Sequence, residues 1–156
     1  MPYQNLTQLE LGALKNDNLD IEVFERVNEN TIETSTKGQK AIFATMLVEF
    51  EVNNGGFNQY YINTGMEYSK MAVEGFRLIG ASAFADLMQR ANKIAESRYA
   101  PEYLKKLQQN IEDFQTSYKD DPFDLLDKEF YEFPGGEDPK QLRIQYIRAH
   151  PEEFIG

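Results

Sequence analysis

The chain is 156 residues long, one domain's length on a scale of about 100 to 200 residues, and its 41% hydrophobic and 27% charged residues exclude the disordered, collagenous and coiled-coil classes. It has no cysteine, which removes disulfide and thiolate chemistry, and one histidine, which removes any multi-histidine metal site. With 16 basic against 26 acidic residues the formal charge is −10, so nucleic acid and anionic membranes are repelled and a basic protein partner is favoured.

The first 17 residues lack a basic segment followed by an apolar run, so neither a signal nor a transit peptide is expected and the location read from them is cytoplasmic. Residues 1–36 form an acidic, helical extension with 2 basic and 7 acidic residues. Between 37 and 52 the apolar residues Ala41, Ile42, Phe43, Ala44, Met46, Leu47, Val48, Phe50 and Val52 point to nearly every side of a helix. A helix apolar all round belongs at the centre of a fold. Thr45, Glu49 and Glu51 interrupt it, and it falls short of the roughly 20 apolar residues that span a bilayer. The fold class expected is therefore all-α: one domain over residues 1–156, a bundle of about seven to nine helices around that central element.

Asn53, Asn54, Gly55 and Gly56 then end the central helix in a tight turn, because glycine tolerates positive φ and asparagine bonds to nearby backbone. Phe57, Tyr60 and Tyr61 resume helical spacing up to residues 63–65. The side-chain amides of Asn53, Asn54, Asn58, Gln59 and Asn63 crowd beside Glu49 and Glu51, and buried polar groups require partners. Two readings stand open. In one, carboxylates and amides hydrogen-bond the turn and lock two helices together. In the other, Glu49, Glu51, Asn53, Gln59 and Asn63 floor a polar pocket in which a carboxylate of raised pKa serves as acid or base toward a small ligand. No Walker loop, dinucleotide fingerprint or Gly-x-Ser-x-Gly elbow accompanies the cluster. The expectation is a protein that is not an enzyme and that uses no cofactor and no metal.

Further along, a helix from about residue 67 is stopped by Gly80. Phe84, Leu87, Met88, Ala91, Ile94 and Ala95 then form one amphipathic stripe, and Leu104, Leu107, Ile111, Phe114 and Tyr118 a second. Ser82, Asp121 before Pro122 and Asp138 before Pro139 read as helix N-caps. Residues 110–139 carry 2 basic and 10 acidic residues, against 5 and 3 in residues 81–109, which polarises the molecule. After Pro122, Phe123, Leu126, Phe130 and Phe133 face the core and leave Asp124, Asp127 and Tyr131 on one flank. Asp120, Asp121, Asp124, Asp127, Glu129, Glu132, Glu137 and Asp138 are the candidate partner-binding residues, the plain alternative being a solvated face. His150, before Pro151, suits the negative end of a helix.

The stretch 51–65, with its Asn-Gly-Gly-Phe-x-Gln core at residues 54–59, and Tyr146, Ile147, Arg148, Ala149 and His150 near the C-terminus resemble the DNA-mimic-protein family of small acidic bacterial domains. The resemblance runs from about residue 40 to 154. It implies an all-α fold and, from the family's founding member, an acidic homodimer that occupies the DNA-binding face of a regulatory protein. An immunity-type partner of a secreted toxin needs the same kind of charged, specific surface.

Overall fold

The computed structural model describes residues 5–99, 101–118 and 121–156. Among them the helices run in chain order α1 (Gln8–Ala13), α2 (Asn16–Arg26), α3 (Lys37–Thr64), α4 (Ser69–Leu78), α5 (Ser82–Arg98), α6 (Pro101–Gln109), α7 (Ile111–Thr116), α8 (Asp124–Tyr131) and α9 (Pro139–Ala149). No helix of the described residues is long and apolar enough to cross a membrane. The fold class is all-α, as the periodicity requires.

The all-round apolar character of α3 has a direct cause, because the helix faces three separate clusters. Ala41, Ala44, Val48 and Val52 pack into the main core with residues of α4, α5 and α8. Ile42 and Met46 turn to a second cluster formed with Leu6, Leu11, Leu19 and Val23 at the N-terminus and Ile144, Ile147 and Phe154 near the C-terminus. Phe43 meets Val27, Ile32 and Tyr68 in a third. The helix starts in a capping box: Thr36 Oγ1 accepts from the Gln39 amide at 3.1 Å, and the Gln39 side chain accepts from the Thr36 amide at 2.9 Å. At its crossing with α4 a Cβ on Gly75 would stand 2.9 Å from Ala41 Cα, so only glycine lets the two backbones approach this closely. The first and last described segments meet: the Leu6 amide donates to the Phe154 carbonyl (2.7 Å) and the Gly156 amide to the Leu6 carbonyl (3.1 Å), a lone parallel bridge.

The start and stop signals held in part. Gly80, at φ 89°, closes α4 with the Ala81 amide on the Phe76 carbonyl. Asp138 caps α9, its carboxylate accepting from the Gln141 amide at 3.3 Å, with Pro139 at the first position. Four expectations are corrected. Ser82 is not a cap; it is the first residue of α5, whose opening amides are taken by a distant carboxylate described below. Asp121 does not cap α8; it accepts from the Phe123 amide two residues on and forms a turn before the helix begins at Asp124. The stripe from 104 to 118 is two helices. Asn110 (φ −135°, ψ 110°) interrupts it because its side chain accepts from the Glu112 and Asp113 amides and starts α7 anew, which leaves Ile111 74% exposed. Phe133 adopts left-handed backbone (φ 55°), which turns its half-exposed ring away from the core position of Phe123, Leu126 and Phe130.

Candidate functional site

The tight turn expected at residues 53–56 is corrected, because the glycine pair kinks α3 and does not end it. Asn53 and Asn54 stay helical, and only Gly55 (φ −158°, ψ 22°) and Gly56 (φ 77°, ψ 179°) depart from helical geometry, so the helix kinks and continues. A kink of this kind strands backbone donors and acceptors that then need partners. Asp127, on α8, takes the Phe57 amide on Oδ1 at 2.8 Å. The Tyr118 hydroxyl donates to the Gly55 carbonyl (2.8 Å), and the Tyr131 hydroxyl donates to the Val52 carbonyl (2.6 Å). A Cβ on Gly56 would lie 2.5 Å from Asp127 Oδ2, so glycine is required twice, for its φ and for its space. Within α3 the Glu51 carboxylate receives the amides of Gln59 (2.8 Å) and Asn63 (2.9 Å) and ties the two halves together. Asn58, fully buried, donates to Ser117 Oγ (2.8 Å) and accepts from the Tyr99 hydroxyl.

Holding Asp127 at the kink gathers its neighbours. One carboxylate oxygen from each of Asp121, Asp124 and Asp127 falls within 4.8 Å of the others. Burial pushes the Asp127 carboxyl up to about 6; the Phe57 amide opposes the shift, and the charges of Asp121 and Asp124 add to it. Burial also raises Asp121. Tyr118 and Tyr131, 36% and 47% exposed, edge this focus of charge; burial raises both hydroxyls, the neighbouring carboxylates add to the shift, and Asn58 opposes it at Tyr118. The arrangement is an acidic lip with aromatic sides. Two of its carboxylates, Asp121 and Asp127, are held by the backbone amides they accept from, so much of the anionic and π surface is already ordered.

The family described as DMP19-like protein matches residues 33–150. The chain belongs to that family. No curated protein and no solved structure matches it. The DMP19-like region opens just before α3 and closes at the end of α9, so it contains the kink and the lip and leaves α1 and α2 outside.

The other acidic candidates of this DMP19-like chain lie elsewhere. Glu129 pairs with Arg90. Glu137 accepts from the Ala83 amide (3.0 Å) and the Phe84 amide (3.1 Å) at the start of α5. Asp138 is occupied as the α9 cap, Glu132 is exposed, and Asp120 lies outside the described residues. The amide cluster also divides. Glu51, Gln59 and Asn63 form the clasp across the kink, while Glu49, Asn53 and Asn54 line a groove of about 440 Å³ with Asp20, Ile21, Phe50, Lys140 and Arg143. There the buried Arg143 bonds Glu49 and Asp20 (3.1 Å), and Lys140 bonds Asp20 at 2.9 Å. Burial raises the Glu49 carboxyl in spite of Arg143. Sequence reasoning missed Asp20, Arg143 and Tyr118. The first two were marked by a charge on an apolar stripe, Asp20 beside Leu19 and Arg143 four before Ile147. No sequence signal marked Tyr118, whose partner is 63 residues away.

Proposed function

We propose that this DMP19-like chain is a non-enzymatic protein-binding domain whose acidic lip docks the DNA-binding surface of a basic regulatory protein. The observation that carries the reading is the convergence of Asp121, Asp124 and Asp127 between two exposed tyrosines, with none of the three in an ion pair among the described residues. A DNA-binding surface presents arginines and lysines arranged for phosphate oxygens, and clustered carboxylates offer the same charge and acceptor geometry. An arginine suits the lip in two ways, through its forked donors to the carboxylates and through its flat face on a tyrosine ring. The groove at Glu49 supports a ligand-binding role less well, because Asp20, Glu49, Lys140 and Arg143 already satisfy one another.

The test is capture from a lysate of the native cell, comparing wild type with an Asp121→Asn, Asp124→Asn variant that leaves the Asp127 bond to Phe57 in place. Wild type retains a DNA-binding protein at low salt and releases it to high salt or duplex DNA, and the variant binds it roughly tenfold more weakly. Capture that ignores salt, DNA and both substitutions refutes the reading.

A further inference from the structure

We propose that the acidic lip is gated by one proton taken up at Asp127 in mildly acidic medium, which lowers the charge of the binding face and eases the repulsion among its carboxylates, so that partner affinity falls while fold stability rises. The affinity half rests on the proposed function; the stability half stands without it.

The geometry is that of a half-buried carboxylate with two others beside it, an arrangement that favours a proton as pH falls. Three of their oxygens lie within 4.8 Å of one another, and like charges at such range favour keeping one proton. Asp127 is the member that receives it. It is half-buried over Gly56, its Oδ1 is occupied by the Phe57 amide, and its Oδ2 is the oxygen against the glycine. A protonated Asp127 keeps accepting from Phe57 through its carbonyl oxygen, so the kink survives the proton. Among the described residues, the groups facing it carry no compensating positive charge. From α8 and the turn before it come Asp121, Asp124 and Tyr131; from the end of α7 comes Tyr118; from α3 come only the Phe57 amide and the carbonyls that the tyrosines bond. Arg98 of α5 acts on Asp121 and donates to the Ser117 carbonyl at 2.9 Å.

The sign of the effect is unusual for a carboxylate. The Asp127 carboxyl stands at about 6 in the fold against 3.8 in an ordinary aspartate, so the folded state holds its proton more tightly than the unfolded chain does. Its contribution to stability is complete below about pH 4 and is lost as pH rises through about 6. Glu10, lowered chiefly by the Thr7 amide, behaves in the opposite way and loses its contribution on acidification.

Carbon-13 carboxyl titration of the full chain, urea unfolding, and binding of a deca-arginine peptide at constant ionic strength, each followed between about pH 7.5 and 5.5, decide the matter. In wild type Asp127 titrates near 6, the urea midpoint rises on acidification, and the peptide binds about fivefold more weakly at the lower pH. Asp127→Asn abolishes that part of both pH responses. Asp124→Asn, at an exposed position, lowers the Asp127 titration midpoint and covers the case in which the first variant folds poorly. An Asp127 midpoint in the ordinary aspartate range overturns the gate, as does peptide affinity unchanged with pH in a protein whose Asp127 does titrate near 6. No peptide binding at about pH 7.5 refutes the proposed function and with it the affinity half, while titration and urea unfolding decide the stability half on their own.

Discussion

Glu137 lies in the most acidic stretch of the chain, yet its carboxylate belongs to a different helix, where it accepts from the Ala83 and Phe84 amides at the positive end of α5. A cap delivered from 54 residues away satisfies the same stranded donors as a local serine, with a full charge added. Glu137→Ala is therefore expected to cost about 1–2 kcal/mol in urea unfolding, while exposed Glu132→Ala stays within about 0.5 kcal/mol. The neighbouring pair shows what sequence can and cannot disclose at this scale. The Asp138 cap was legible because donor and acceptor are three residues apart and Pro139 marks the helix start. The Glu137 cap was not, since only the packing of the turn after α8 against α5 brings it within reach.

At the scale of the element, α3 was legible as a central helix with a glycine break, and the break was legible as backbone need alone. That Asp127, Tyr118 and Tyr131 complete it depends on contacts 63 to 79 residues distant, beyond any periodicity. The division of α6 from α7 was hidden for a different reason: the apolar spacing runs on through Asn110 as if the helix did. Glycine substitutions separate these roles. Gly56→Ala combines left-handed backbone with a Cβ against the Asp127 carboxylate and is expected to cost about 2–4 kcal/mol. Gly12→Ala, inside α1 with nothing within 4 Å, is expected to stabilise by up to about 1 kcal/mol. Thermal unfolding of the two variants reads opposite shifts.

Across the whole molecule, the charge asymmetry was visible as a count, but its geography was not. Of the acidic candidates outside the lip, Glu129, Glu137 and Asp138 are engaged within the fold, so the usable negative surface is smaller and denser than the count suggests. The N-terminal extension is likewise more than an appendage to the DMP19-like region. Leu6, Leu11, Leu19 and Val23 close the second cluster, and Asp20 pairs with both Arg143 and Lys140. Deleting residues 1–27 removes apolar burial on the order of 6–12 kcal/mol, comparable with the stability of a typical domain. The expected result is a truncated chain with no cooperative transition by circular dichroism.

The bridge between Leu6 and Ile155 gives this dependence a practical form. Because the first and last described segments lie side by side, a donor dye on one and an acceptor on the other would exchange energy only while the N-terminal strap is seated. Detachment of the strap would then register as a loss of transfer, so the seam serves as a built-in gauge of whether the N-terminal segment is seated.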